Sequence, residues 1–189
     1  DTKADVKVAG NLAHLLLYAD ANTQFATVEY VSGAYQMWSL RSTLVNIALP
    51  GSEIATIDQD STGKMWLASR TAAGQVVVYH SDSPYTTWNG PVILASGVVG
   101  SDDLEVITAL PNHTVGVLWS NQNTKRFGFR VHTDGTDPTI WSTDEVPASQ
   151  SAVNNVGTGM ADDHMNVAVA SDSTLYAAVK TGYDTAGYP

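Results

Sequence analysis

Carboxylates recur along this chain where they could act as a group. Acidic residues stand at Glu53, Asp103 and Asp163, with Ser52, Asp102 and Asp162 immediately before them, each set opening an apolar run. If folding gathers these positions at one mouth, five carboxylates share a face and repel one another unless a cation or basic ligand sits among them. That arrangement would be a Ca²⁺ site or a patch for a cationic partner. The plainer alternative is that short acidic side chains cap turns and satisfy backbone amides. His164 stands where the other two sets carry Ile54 and Leu104, so a titratable ring replaces a packing residue. With Asn166 two residues on, along the same face of a strand, His164 is a candidate catalytic base or ligand-orienting group, and Asn166 a binding candidate. Asp58-Gln59-Asp60-Ser61-Thr62-Gly63 begins like a Ca²⁺ loop, with oxygens at its first, third and fifth places and Gly at its sixth. Its twelfth place is Ser69 rather than Glu, so Asp58 and Asp60 are metal candidates set against an ordinary hairpin turn. No Ser-His-Asp spacing, phosphate-binding Gly loop or paired-His motif is evident.

The elements that must position these residues repeat. Trp38, Trp88 and Trp141 each close a similar segment and lie 50 and 53 positions apart, while the acids at 53, 103 and 163 are 50 and 60 apart. A period near fifty residues fits one blade of a β-propeller, with length differences falling between strands. Short β-rich runs separated by Gly, Asp, Asn and Ser, without 3.6-residue periodicity, predict an all-β chain. The expected strands are 5–9, 12–19, 25–31 and 44–49 in a first unit, then 54–58, 64–70, 75–80 and 91–95 in a second. A third holds 104–110, 114–120, 126–132 and about 140–146, and a fourth only 164–170 and 174–180. The chain therefore reads as a single partial β-propeller: four-stranded antiparallel blades at about 1–50, 51–100 and 101–147, and a half blade at 161–189. About three and a half blades in one chain predicts a fragment of a larger ring, because a two-stranded remnant exposes unpaired edges and an apolar face. The missing strands are expected from a second polypeptide, a cleaved or split C-terminal half or a second copy. The longest connection, 147–163, is the candidate functional or crossing loop.

Composition narrows the function classes. In 189 residues, 43% hydrophobic and 15% charged content is that of a folding chain with a core. Nine Lys and Arg against nineteen Asp and Glu give a formal charge of −10 without a basic cluster, which argues against nucleic acid as a partner. No apolar run approaches the roughly 20 residues of a membrane span. Zero cysteines remove disulfides and thiolate chemistry. Low Lys content and abundant Thr, Ser, Asn and Gly predict an extracellular or periplasmic protein. Asp1-Thr2-Lys3-Ala4-Asp5 is not a signal peptide, so export implies a leader already removed. Asn112-His113-Thr114 is a glycosylation sequon, meaningful only in a eukaryotic secretory route.

The segment after each third strand resembles a degenerate Asp-box, the Ser-x-Asp-x-Gly-x-Thr-Trp repeat of sialidase-like (BNR-type) β-propellers. In the eight residues ending at Trp88, Ser81, Thr87 and Trp88 match, Ser83 and Tyr85 take the Asp and Gly places, and Asp82 is one position out. Asp134-Gly135 precedes Trp141 with an inserted residue, and at Trp38 only the Trp remains. Residues 162–176 also resemble a blade entry of bacterial propeller proteins. The resemblance implies a propeller fold, often extracellular and often handling glycans. It does not imply sialidase activity, because Arg41, Arg70, Arg126 and Arg130 do not form that family's arginine triad and no Arg-Ile-Pro motif occurs. The expected function is a secreted glycan- or protein-binding module, completed by another chain or by a missing C-terminal half. The alternative is a carbohydrate-active enzyme, a glycoside hydrolase or polysaccharide lyase, with its site at the propeller channel.

Overall fold

In the computed structural model, residues 3–52, 54–96, 99–100, 102–145 and 161–181 are described. Four antiparallel sheets follow one another along the chain. The first holds β1 (Lys3–Ala9), β2 (Leu12–Tyr18), β3 (Thr23–Val31), β4 (Ala34–Met37) and β5 (Val45–Ile47). The second holds β6 (Ala55–Gln59), β7 (Met65–Arg70), β8 (Val76–Ser81) and β9 (Asn89–Ala95). In the third are β10 (Glu105–Leu110), β11 (Thr114–Asn121) and β12 (Arg126–Thr133), and in the fourth β13 (Ala161–Val169) and β14 (Leu175–Thr181). A single turn of 3₁₀ helix at Asp20–Asn22 is the one helical element among the described residues. None of them is long and apolar enough to cross a membrane as a helix.

Two departures from the expected strands have local causes. Val31 does not lead into a long turn. Ser32 and Gly33 adopt φ of 52° and 91°, the paired positive angles of a two-residue hairpin, and β4 returns along β3. The expected strand at 44–49 shrinks to β5, which pairs the other end of β3. In the third sheet, 141–145 run beside β12 without becoming regular strand. Ser142 and Glu145 donate their N–H groups to Val131 and Phe129 carbonyls at 2.8 and 2.9 Å. In return the amides of Val131 and Phe129 donate to the Ser142 Oγ and Asp144 Oδ1 at 2.9 and 3.1 Å, so side chains replace backbone carbonyls. The connection expected to be functional lies mostly outside the described residues, at 146–160.

Apolar faces join the sheets in series. Leu16, Phe25 and Trp38 of the first sheet pack with Ile57, Met65 and Leu67 of the second. The opposite face of the second, with Trp66, Val76 and Val78, packs with Ile107, Val117 and Trp119. Leu118 and Phe127 then meet Met165 and Val167 of the fourth sheet. Burial of these side chains contributes roughly 1.5–3 kcal/mol each, so the layers between sheets hold the molecule together. Trp38 and Trp66 are buried in these layers and Trp88 and Trp141 pack against them, so the repeated tryptophans supply inter-sheet area.

Polar side chains fix the first strands next to one another. Asp5 Oδ2 accepts the Ile57 N–H at 2.7 Å, Thr56 Oγ1 accepts the Ile107 N–H at 3.0 Å, and Asp58 Oδ2 accepts the Ala109 N–H at 2.6 Å. β1 thereby satisfies an edge amide of β6, and β6 two of β10, groups that would be costly to leave bare at a sheet edge.

Candidate functional site

The recurring acids do not share one environment. Asp103 is fully buried. Its Oδ1 accepts the Ser120 hydroxyl at 2.9 Å and the Gln122 N–H at 3.0 Å, and its Oδ2 accepts the Gly100 N–H. This carboxylate closes the entry to the third sheet onto the end of β11. Asp102 is exposed beside it, and Glu53 lies outside the described residues.

Asp162 and Asp163 form a separate cluster on β13. Lys180 Nζ lies 2.9 Å from Asp163 Oδ1 and 3.5 Å from Asp162 Oδ1. His164 Nδ1 lies 2.6 Å from the same Asp163 oxygen. Strict alternation would turn Asp163 and His164 to opposite faces. A register irregularity between Ala161 and Met165 relaxes it there and lets neighbours meet. Hydrogen bonds from Lys180 and His164 hold the Asp163 carboxyl far below the usual carboxylate range, and Asp163 in turn raises the Lys180 ammonium. The His164 side chain is 71% exposed. Asn166 is exposed on the same strand, opposite Ala178. Leu104, Met165 and Val179 join His164, Asn166 and Lys180 around a shallow hollow.

Asp58 and Asp60 spend their oxygens on the fold. Asp58 pairs with Lys7 and accepts the Gln59 and Ala109 N–H groups. Asp60 Oδ1 accepts the Thr62 and Lys64 N–H groups at 2.9 and 3.0 Å and the Thr62 hydroxyl at 2.6 Å, while Oδ2 accepts Trp66 Nε1–H at 2.9 Å. Gly63, at φ 88°, completes this hairpin turn. Among the described residues no three His, Asp or Glu side chains are grouped as metal ligands.

Three polar sites escaped sequence reasoning. Ser61, His113 and Asp134 come from separate turns: Ser61 donates to Asp134 Oδ2 at 2.6 Å, and His113 Nδ1 is 2.9 Å from the same hydroxyl. The order is wrong for nucleophile activation, which needs the imidazole between hydroxyl and carboxylate. Here the hydroxyl proton points to Asp134 and His113 donates, so the trio staples turns of the second and third sheets. His14 is buried with Nδ1 3.0 Å from Thr27 Oγ1. Burial, then Arg41 and Lys7, lowers its pKa from 6.5 to about 4. Arg41 donates to Pro84 O and Thr27 Oγ1 at 2.9 and 2.7 Å. Glu105 is wholly buried against β11, and neither carboxylate oxygen meets a hydrogen-bond donor. Burial raises its pKa well above the carboxylate range against the pull of Arg70, and Asp103 adds to the rise. His14 lay visibly inside an apolar run; nothing in the spacing marked the others.

A cleft of about 260 Å³ opens between the second and third sheets. Trp119 and Phe127 form its apolar wall, and Ser96, Asn121, Thr124, Arg126 and Asp144 bring polar groups to its mouth. Gly128 is what lets the indole lie there, since a Cβ at this position would stand 2.0 Å from the Trp119 ring.

Comparison with known proteins finds no family model that matches the chain and no curated protein similar to it.

Proposed function

We propose that this chain is part of an extracellular or periplasmic β-propeller of sialidase-like type whose role is to bind, without chemistry, a glycan at the cleft between its second and third sheets. The propeller reading is supported by the serial face-to-face sheets and by first strands tied side by side through Asp5, Thr56 and Asp58. At the resembling Asp-box, Tyr85 takes the Gly place with φ 61°, and its N–H closes a turn on Asp82 O at 2.7 Å. The observation that carries the binding reading is the cleft itself. An arginine, an amide, hydroxyls and a carboxylate gathered at the mouth, over a floor closed by the buried Trp119 and Phe127, suit the hydroxyls of a sugar. Its volume lies just under the roughly 300–1,000 Å³ of ordinary ligand pockets, which suits one sugar ring.

A glycan array probed with the wild type and Arg126→Ala tests this. The wild type binds a defined set of glycans, and the variant loses at least about tenfold in affinity, or about 1.4 kcal/mol. An array blank for the wild type, or equal binding by both, removes the cleft as the site.

One observation favours a second reading, a glycoside hydrolase or polysaccharide lyase. Asp163 orients the exposed His164 ring, as a carboxylate does for a general base. Turnover of a polysaccharide that His164→Ala abolishes would establish it, whereas turnover that survives the change would dismiss His164.

A further inference from the structure

With nine Lys and Arg against nineteen Asp and Glu, a cation without a partner stands out on this chain. Lys7 pairs with Asp58, Lys64 with Asp82 and Lys180 with Asp163. Arg41 spends its guanidinium on Pro84 O and Thr27 Oγ1, and Lys3 and Arg70 have partners as well. Among the described residues, the cationic side chains left with neither a hydrogen bond nor an ion pair are Lys125, Arg126 and Arg130. All three belong to β12 or to the turn that leads into it.

Strand geometry aims the two arginines at the cleft. Val117 and Trp119 of β11 face the second sheet in a buried layer, and across the ladder their partners are Arg130 and Gly128, with Asn121 opposite Arg126. Residues 126, 128 and 130 therefore share the face that meets the second sheet. Arg126 is exposed at the mouth of the cleft. Arg130 is half-buried further along, its Nε–H enclosed without an acceptor. Between them Gly128 carries no side chain, and four residues of strand set the two positions roughly 13 Å apart.

The surroundings leave these charges for a ligand. β8 and β9, which supply Val78 and Leu94 to the same layer, carry no acid. Asp144 and Glu145 run beside β12 without closing an ion pair on either arginine, and Asp144 Oδ1 is already taken by the Phe129 N–H at 3.1 Å. A free guanidinium offers a planar fork of N–H donors that matches a carboxylate or a sulfate. The net negative charge of the rest of the chain is screened beyond about 8 Å at physiological salt, so the local cations decide the contact.

We propose that the glycan taken by this cleft is a polyanionic chain, a polysaccharide bearing carboxylate or sulfate-ester groups on several of its sugars, laid along β12 so that Arg126 grips one anionic group and Arg130 another. The inference rests on the glycan-binding reading of the cleft and deepens it by naming the class of glycan. Two separate groups are required because Arg130 is held at its buried Nε, roughly 13 Å along the strand from Arg126, and the pair does not centre on a single carboxylate. Lys125, exposed in the turn before β12, extends the same line of charge.

Isothermal titration calorimetry of the whole chain with tetragalacturonate, a sulfated carrageenan tetrasaccharide and neutral cellotetraose tests the proposal. The wild type binds at least one charged oligosaccharide at least about tenfold more tightly than cellotetraose, the scale of a charge-assisted hydrogen bond. Which one it takes assigns the anionic group as a carboxylate or a sulfate ester. That affinity falls between about 0.1 and 1 M salt, where the Debye length shrinks from roughly 10 to 3 Å. Arg130→Gln, folded by circular dichroism, loses about tenfold for the charged ligand, and Arg130→Lys, which keeps the charge without the fork, recovers part of the loss. Equal wild-type affinity for charged and neutral ligands, charged-ligand binding that Arg130→Gln does not weaken, or binding indifferent to salt overturns the inference. Tighter binding of an all-Glu peptide than of either charged oligosaccharide overturns it in favour of an acidic peptide. A wild type that takes none of the charged probes also overturns it. Neutral glycans bound on the array in an Arg126-dependent way would then leave the cleft reading standing, and a blank array would remove both, so the two failures are told apart.

Discussion

At the scale of single residues, two buried titratable groups set opposing pH dependences. His14 has its pKa lowered from 6.5 to about 4, so between those values the unfolded chain binds more protons. Stability therefore rises with pH across that window and is fully present above 6.5. Replacing His14 with Gln should flatten this acid limb, as read from urea midpoints measured at several pH values between 4 and 7; an unchanged slope would mean the ring is not held neutral. Glu105 works the other way. Its folded pKa is raised, so the folded state holds the extra proton and stability falls as pH rises above the unfolded carboxylate value. Glu105→Gln keeps the shape and removes the penalty. The variant should be more stable than the wild type at pH 7, and the gain should shrink in acid, where the wild type is already protonated. A destabilised variant at pH 7 would show instead that Glu105 is ionised and paired with Arg70.

At the scale of elements, the turns and the third sheet carry their own tests. Asp60 satisfies two amides, a hydroxyl and an indole N–H within one hairpin. Asp60→Ala should cost about 4 kcal/mol, at roughly 1 kcal/mol for each of the four hydrogen bonds lost, visible as a lowered denaturant midpoint with β-rich dichroism retained. With these oxygens committed to the turn, a chelator should leave the thermal midpoint of the wild type unchanged. A marked drop would point to a bound cation stabilising the fold. Gly128→Ala drives a methyl into the Trp119 ring; overpacking of this kind typically costs 1–3 kcal/mol. Trp fluorescence should change with it, because the indole must leave the cleft wall. Strand existence at this scale was legible from sequence, since apolar runs bounded by Gly, Asp and Asn mark strands and turns locally. The β4 return was not, because Ser32 at positive φ gives no signal comparable to a second Gly. Nor was the irregular edge at 141–145 legible, where Ser142 and Asp144 side chains stand in for strand carbonyls.

For the whole molecule, the all-β class, the period near fifty residues and the places where acids and tryptophans recur are legible in the order of residues alone. These follow from local rules: side chains alternate along strands, turn residues punctuate them, and a repeat preserves both. Tertiary structure decided what each recurring residue does. Asp103 is buried under donors while Asp163 sits at the surface with His164 and Lys180, although both occupy the same place in the repeat. The difference is stacking. Asp103 is folded back onto the end of β11 in a sheet covered on both faces, whereas β13 has one face open. Ser61, His113 and Asp134 likewise meet because three turns converge at neighbouring sheets, and the Trp119 cleft exists because Gly128 makes room. Such partnerships join residues from different turns and sheets, so they depend on how successive sheets pack face to face, a relation that no local pattern of residues encodes.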